Sequence, residues 1–303
     1  AKMKKVSAGI DIGGTNTVFG WVESNGNFLW RGKIKTNDYK DPKELVKHVS
    51  QQLLENIAEN EAVGIGIGAP NGNYYNGTVE FAPNLDWPDY VPLKDYFNDY
   101  FDMPVIVTND ANATALGEMV YGSAKGVNNF IMVTLGTGLG SGIVINGQVV
   151  YGHDAFAGEL GHVIVEEGGR LCGCGRRGCL ETYASATAIS TTAQELTSKE
   201  YTSAQVYEAA NNGEQWALEA FDFTAKKLGM ALANAVAMTS PRCIYLFGGL
   251  AQAGDLLFKP TKQYMEENLL SIYKNKVQIL PSALDGADAA ILGASALVWK
   301  ENS

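Results

Sequence analysis

Short apolar runs alternate with stretches of helical periodicity along the chain. The first third opens with three strand-like runs separated by glycine turns, and an amphipathic helix follows, with apolar positions three and four residues apart. A strand, a long loop through Trp87 and Pro88, a short helix and another strand come next. The pattern predicts the order β-β-β-α-β-α-β, with strands at 6–11, 17–22, 26–34, 62–68 and 105–108 and helices at 42–60 and 93–101.

The strand–glycine–strand opening then repeats. The second part of the chain predicts strands at 130–135, 141–145, 149–150, 243–247 and 277–281, and helices within 184–237, above all 216–238, and at 256–269 and 287–300. Such a repeat is typical of an α/β protein with two lobes. We expect residues 1–114 plus 288–303 to form a smaller N-terminal lobe and residues 115–287 to form a larger one.

Composition narrows the class of function. The 303 residues are 46% apolar and 18% charged, as in an ordinary globular protein, and the net charge of −10 argues against nucleic acid as the main partner. The charge does not argue against a nucleotide as ligand, because backbone N–H groups and Mg²⁺ can hold phosphates on an acidic protein. No stretch has the length and apolar character of a membrane span, so we expect no membrane partner and a cytoplasmic location.

The first glycine turn lies between two strands. That position excludes a dinucleotide-binding fingerprint, which needs a helix after the glycines, and no Walker lysine is present. The backbone here could approach phosphate oxygens, and Asp11 could face a Mg²⁺ ion. Taken alone, a simple hairpin turn is the more common interpretation. The candidate nucleotide-binding residues are Asp11, Gly13, Gly14, Thr15 and Asn16.

Two further glycine turns strengthen the case for a nucleotide. One again joins two strands and contains Gly136, Thr137 and Gly138, and the other, Gly248-Gly249, follows a strand and precedes a helix. Two strand–glycine–strand turns could hold a phosphate chain, and the third could accommodate adenosine. Three unrelated tight turns remain the alternative.

Asn109 and Asp110 follow directly after a predicted strand and begin a helix. Either residue could be a helix cap, since Asp and Asn are common there. The functional interpretation makes Asp110 the general base, which accepts the proton of a substrate hydroxyl during phosphoryl transfer. Asn109 then becomes a candidate substrate-binding residue.

A cluster of soft ligands predicts a metal site in the larger lobe. Cys172, Cys174 and Cys179 lie within eight residues of one another and, with His162, form a Cys₃His set suited to structural zinc. Such a clustering fits a reducing compartment better than a disulfide framework. Three free thiols are the alternative, and spacing alone does not force the choice of His162. Glu159 and Glu181 flank the cluster, either as acceptors for sugar hydroxyls or as surface charges.

Over nearly its whole length the chain resembles the ROK family of sugar kinases, and in particular its zinc-containing glucokinase-type members. The resemblance rests on the three glycine turns, on 109–113, on Glu-x-Gly-His at 159–162, and above all on Cys-x-Cys-Gly-x-x-Gly-Cys-x-Glu at 172–181. It implies an actin-like ATPase fold of two ribonuclease-H-like lobes with a cleft between them. It also implies Asp110 as base and Asn84, Asn109, Glu159, His162 and Glu181 as sugar-binding residues. One departure is Asn71, where the family has glycine.

The resemblance implies an ATP- and Mg²⁺-dependent hexose kinase acting on the 6-hydroxyl, with glucose as the first expected substrate and a structural Zn²⁺. Kinases for N-acetylmannosamine, N-acetylglucosamine or fructose are the alternatives. A sugar-responsive transcription regulator is less favoured, because the first predicted strand starts within a few residues of the N-terminus and the charge is wrong for DNA. The family also implies a homodimer or a dimer of dimers.

Overall fold

The structure, a computed structural model, describes residues 2–302, so the predicted ends at Ala1 and Ser303 lie outside the described residues. The chain divides into two compact units. Unit 1 contains the chain up to Gly126, Val149–Ala157 and the chain from Ala283, and unit 2 contains Val127–Gln148 and Gly158–Ser282.

Unit 1 is built on one large sheet. Its strands are β1 (Lys5–Ile12), β2 (Asn16–Glu23), β3 (Phe28–Lys35), β4 (Glu61–Gly68), β5 (Gly72–Asn73), β6 (Thr78–Glu80), β7 (Tyr90–Val91) and β8 (Val105–Thr108). Its helices are α1 (Pro42–Glu55), α2 (Leu93–Asn98), α3 (Asp110–Tyr121) and α8 (Gly286–Glu301). The large sheet has the order β3-β2-β1-β4-β8, in which β1, β4 and β8 are parallel.

A small second sheet, β5-β6-β7, occupies the segment for which the sequence predicted a long loop. Its strands are only two or three residues long, too short for an alternating pattern to be visible. Asn71 precedes this sheet with φ 51°, a left-handed conformation that asparagine tolerates better than most residues. Its Nδ2 donates to the carbonyl of Phe81 at 3.0 Å. Asn71 therefore supports the turn for which glycine is usual in the family.

Glycines on β1 and β4 let α8 pack directly on the large sheet. A Cβ at Gly9 would lie 2.1 Å from the carbonyl oxygen of Ile291, and a Cβ at Gly66 would lie 1.8 Å from that of Ala294. Both contacts involve backbone atoms, which cannot move aside as a flexible side chain could. The close approach of helix and sheet explains why these two strand positions are glycine.

Gly66→Ala is expected to destabilise the protein by about 2 kcal/mol, because α8 must move away from the sheet to accommodate the methyl group. Urea unfolding measures the effect. The control is Gly286→Ala in α8 itself, where a Cβ would meet no atom of the described residues within 4 Å. Unchanged stability in Gly66→Ala would contradict the packing described.

Unit 2 repeats the architecture. Its strands are β9 (Phe130–Leu135), β10 (Leu139–Ile145), β11 (Gln148–Val149), β12 (Cys243–Phe247) and β13 (Gln278–Pro281), in the order β11-β10-β9-β12-β13. Its helices are α4 (Ala186–Thr197), α5 (Ser203–Asn211), α6 (Gln215–Thr239) and α7 (Asp255–Asn268). The buried face of α6 packs in the apolar core of this unit. Among residues 2–302, no helix is long and apolar enough to cross a membrane.

The unit boundaries differ from the predicted lobe boundaries. The predicted division between residues 114 and 115 falls inside α3, which packs against α8 within unit 1, and the return to unit 1 comes at Ala283 rather than at 288. Residues 149–157, which include the second residue of β11, also belong to unit 1, where the ring of Tyr151 stacks on that of Tyr74 at 3.9 Å between centroids. The two units are therefore similar in length rather than one smaller and one larger.

Candidate functional site

Two carboxylates of unit 1 lie together at the carboxyl ends of its parallel strands. Asp11 on β1 is in register with Gly68 on β4, which is in register with Thr108 on β8, and Asp110 follows two residues later. A Cβ at Gly68 would lie 3.6 Å from Asp11 Oδ1 and 3.8 Å from Asp110 Cα. The strand order thus brings together two residues that are far apart in sequence.

The surroundings of this pair favour its protonated forms. Burial raises the pKa of Asp11 to about 6. The pKa of Asp110 is raised well above its ordinary value, first by burial and then by the charge of Asp11. Asp110 as a whole residue is nevertheless exposed, although protein atoms surround its carboxyl group closely enough to raise the pKa. A carboxylate of this kind is suited to accept a proton.

Asp11→Asn is expected to stabilise the Mg²⁺-free protein by roughly 2 kcal/mol near neutral pH. A pKa of about 6, raised from 3.8, means that ionised Asp11 disfavours the folded state, and this cost develops as the pH rises from 3.8 through 6. The gain in the variant is therefore full above pH 6 and shrinks as the pH falls towards 4. Urea unfolding without Mg²⁺ or nucleotide at several pH values measures it, with Asp102→Asn as the control. A gain in the free energy of unfolding that becomes larger as the pH falls would contradict the raised pKa of Asp11.

Helix capping falls to Asn109 rather than to Asp110. The Asn109 side chain accepts a hydrogen bond from the N–H of Asn112 at 2.8 Å, and Asp110 is the first residue of α3. Asn112 is fully buried, and its Nδ2 donates to Thr108 Oγ1 at 3.2 Å. The capping alternative therefore applies to Asn109, and it leaves the carboxylate of Asp110 for another task.

The first glycine turn contacts the loop that carries Asn84. The N–H of Gly13 donates to the carbonyl of Asn16 at 2.9 Å and closes the turn. Thr15 is exposed, and a Cβ at Gly14 would lie 3.1 Å from Asn84 Cβ. Asn84 is itself exposed, with φ 64°. Unit 1 thus brings a predicted phosphate turn next to a predicted sugar-binding residue.

The second and third glycine turns meet in unit 2. The N–H of Gly136 donates to the carbonyl of Gly138 at 3.0 Å, and Thr137 at the tip is exposed. Gly248 has φ 109°, and a Cβ there would lie 2.5 Å from the carbonyl oxygen of Leu135, the residue before the second turn. A Cβ at Gly249 would meet no atom within 4 Å in the part of the chain that the structure describes. Apart from Thr137, the second and third turns therefore present bare glycine backbone, at the ends of the neighbouring strands β9 and β12.

The four predicted metal ligands come together in unit 2. One ligand atom from each of His162, Cys172, Cys174 and Cys179 lies within 4.8 Å of the others. His162 Nδ1 is 3.6 Å from Cys172 Sγ, and Cys174 Sγ is 3.6 Å from Cys179 Sγ. Tetrahedral zinc requires about 3.8 Å between two sulfurs and about 3.6 Å between nitrogen and sulfur. The donor set and its spacing therefore fit one Zn²⁺.

Backbone hydrogen bonds fold the cysteine segment into a compact knuckle, 170–179. The N–H of Cys172 donates to the carbonyl of Arg176 at 2.8 Å, and the N–H of Gly178 donates to that of Arg170 at 2.8 Å. Hydrogen bonds from the backbone and then the side chain of Arg176 lower the pKa of Cys174 to about 6. Burial raises the pKa of Cys172 to about 12. Metal coordination supplies the charge that keeps such a buried sulfur ionised.

Glu159 and Glu181 lie on adjacent segments beside the knuckle. The N–H of Leu180 donates to the carbonyl of Val163 at 2.9 Å and joins the two segments. Glu159 is exposed as a residue. Partial burial of its carboxyl group nevertheless raises the pKa of that group. The Glu181 carboxylate accepts a hydrogen bond from the N–H of Leu139 at 3.0 Å. Glu181 and Thr137 both line a cavity of about 280 Å³ in unit 2.

Two residues that support these segments had no signal in the sequence. Ser141 is buried, donates to the carbonyl of Gly158, and accepts from the N–H of Leu160 at 3.1 Å, which fixes the backbone on both sides of Glu159. Arg170 donates from Nη1 to the carbonyl of Thr182 at 2.7 Å and thereby ties the knuckle to the segment after Glu181. Only three-dimensional contacts identify them, since serine and arginine are common in loops.

Comparison with known proteins identifies the family. The model of the ROK family matches residues 7–301. The chain is 36% identical to a glucokinase of Halalkalibacterium halodurans, over 97% of this chain and 96% of that protein. It is 33% identical to a xylose repressor of Bacillus spizizenii, over 78% of this chain and 61% of the repressor.

Solved structures agree with the family and with the fold. A ROK family glucokinase from Streptomyces griseus, in complex with glucose and AMPPNP, matches with a TM-score of 0.81 and 32% identity, over 96% of this chain and 98% of that one. The α/β class and the actin-like ATPase fold expected from the sequence are therefore confirmed. The chain belongs to the ROK family.

Proposed function

We propose that this ROK chain is an ATP-dependent glucokinase that transfers the γ-phosphoryl group of ATP to the 6-hydroxyl of glucose. Similarity to glucokinases over nearly the whole chain supports both the reaction class and the sugar. The single observation that carries the chemistry is the pair formed by Asp11 and Asp110 at the strand ends of unit 1, where the carboxyl group of Asp110 has a raised pKa.

Asp110 acts as the general base. It accepts the proton of the 6-hydroxyl while that oxygen attacks the γ-phosphorus in line with the leaving ADP. Asp11 would face the Mg²⁺ that accompanies ATP, and that ion would neutralise charge on the phosphate oxygens. Asn84 and Asn109 contribute hydrogen bonds to the sugar. The remaining residues of the first turn, Gly13, Gly14, Thr15 and Asn16, bind phosphate.

The residues of unit 2 divide between sugar and nucleotide. Glu159 and Glu181 accept hydrogen bonds from sugar hydroxyls, and His162 would hold the zinc with one ring nitrogen and donate to the sugar from the other. A Zn²⁺ held by these four protein ligands would have a structural role, since no coordination position would stay open. For the nucleotide, the phosphates lie at Gly136, Thr137 and Gly138, and the adenosine lies at Gly248 and Gly249.

A coupled assay of ADP release tests the function. We expect the highest kcat/KM with glucose and lower values with mannose, fructose, N-acetylglucosamine and N-acetylmannosamine. Product analysis should place the phosphate on O6. A preference for another sugar would correct the substrate, and absence of sugar-dependent ADP release with all five would contradict the proposal.

The chain is further proposed to act in the cytoplasm, where its thiolates stay reduced, and to form a homodimer or a dimer of dimers, as the family resemblance implies. Light scattering coupled to size-exclusion chromatography measures the assembly. A monomer at micromolar concentration would contradict this part of the proposal.

A further inference from the structure

Glu181 contacts the second glycine turn as well as the metal knuckle. One carboxylate oxygen, Oε2, accepts a hydrogen bond from the N–H of Leu139, the residue that ends the turn, at 3.0 Å. The other, Oε1, lies 3.7 Å from the sulfur of the metal ligand Cys172. The side chain therefore lies between the zinc cluster and the turn proposed to bind phosphate.

Gly138 lies directly against the same carboxylate. A Cβ at this position would lie 2.5 Å from Glu181 Oε2, so only glycine fits while Glu181 keeps its place. Gly138 has no left-handed φ, and this contact gives a separate reason for a glycine there.

A second hydrogen bond ties the turn to the chain after Glu181. The N–H of Ala186, the first residue of α4, donates to the carbonyl of Gly136 at 2.8 Å. The hydroxyl of Ser185 in turn donates to the carbonyl of Glu181 at 2.8 Å. Both ends of the turn, at 136 and at 139, are thus attached to the segment 181–186, which begins two residues after the ligand Cys179.

We propose that Glu181 is a positioning residue for the nucleotide, which holds the turn at Gly136, Thr137 and Gly138 in the geometry that binds phosphate. This inference rests on the proposed function and adds a second task to the sugar-binding role proposed for Glu181. It makes the knuckle a support for the phosphate site as well as for the sugar site. Thr137 and Glu181 line one cavity, which is consistent with that link.

The test is the affinity for Mg²⁺–ADP in the absence of sugar, measured by calorimetry. Glu181→Ala should weaken binding about fivefold, which is the usual effect of losing one hydrogen bond. Glu181→Gln should stay within about twofold of wild type, because the amide oxygen can accept from Leu139 in the same way. Glu219→Ala, which removes an exposed glutamate of α6 in the same unit, is the matched control and should leave nucleotide affinity unchanged.

A second route avoids altering the knuckle. Gly138→Ala should weaken Mg²⁺–ADP binding, and it should cost less in the Glu181→Ala background, because the atom that the new methyl group meets is gone. Zinc content is measured for every variant. Wild-type affinity in Glu181→Ala, equal weakening in the Gln and Ala variants, or additive effects in the double variant would overturn the inference. If the wild-type protein itself binds no Mg²⁺–ADP, the proposed function fails instead.

Discussion

Asp110→Asn is expected to lower kcat for glucose phosphorylation by about a thousandfold while glucose affinity stays within a fewfold of wild type. The amide has nearly the shape of the carboxyl group and can still hydrogen-bond to a sugar hydroxyl. It cannot take up the proton of the attacking 6-hydroxyl, so the transition state loses its base. The residual rate reflects positioning and phosphate neutralisation, which the substitution leaves in place.

The measurement combines ADP release with glucose binding by calorimetry. Asp102→Asn, an exposed aspartate of the same unit, is the control and should keep the wild-type rate. Because the pKa of Asp110 is raised, the wild-type rate should rise with pH as this carboxyl group loses its proton, and the residual rate of the variant should lack that dependence. An Asp110→Asn variant that keeps about a tenth or more of the wild-type rate would rule out Asp110 as the general base.

Strongly periodic elements could be predicted from the sequence. The parallel strands and the long helix α6 form where the apolar pattern places them, with ends that agree to within one residue. The three cysteines of the predicted metal site were equally visible, because three cysteines within eight residues are typical of such a site in a chain with so few cysteines, whereas His162 was favoured by the family resemblance. Local pattern and local chemistry suffice for features of this kind.

Features that depend on distant contacts could not be predicted. Asp11 and Asp110 meet because β4 lies between β1 and β8, an order that no local pattern encodes. The sheet β5-β6-β7 consists of strands too short to show alternation. The bond from Leu139 to Glu181 joins residues 42 positions apart and depends on how the knuckle packs. The sequence could not decide between Asn109 and Asp110 as the helix cap, since either residue type is common at a helix start.

Replacing a knuckle ligand is expected to abolish zinc binding and, with it, glucose binding. Cys172→Ala removes a buried sulfur that lies 3.6 Å from His162 Nδ1, so His162 would lose the metal proposed to fix its ring. Wild-type protein should contain about one zinc per chain and the variant close to none. Without the ion, this glycine-rich loop keeps its backbone hydrogen bonds and side-chain hydrogen bonds such as those of Arg170 and Arg176, and we expect these to be too few to keep it ordered.

The matched control is Cys243→Ala, because Cys243 is buried in β12 and is not part of the cluster. This variant should keep zinc and glucose affinity and lose only about 1 kcal/mol of stability. Limited trypsin digestion gives a readout that does not depend on activity, since Arg176 and Arg177 lie within the knuckle and should become cleavable when zinc is lost. A Cys172→Ala protein that is metal-free, resistant to trypsin and still binds glucose normally would show that the sugar site does not need the ion. A metal-free variant that trypsin cleaves and that no longer binds glucose would support the zinc cluster as the element that holds His162 and Glu181 in position.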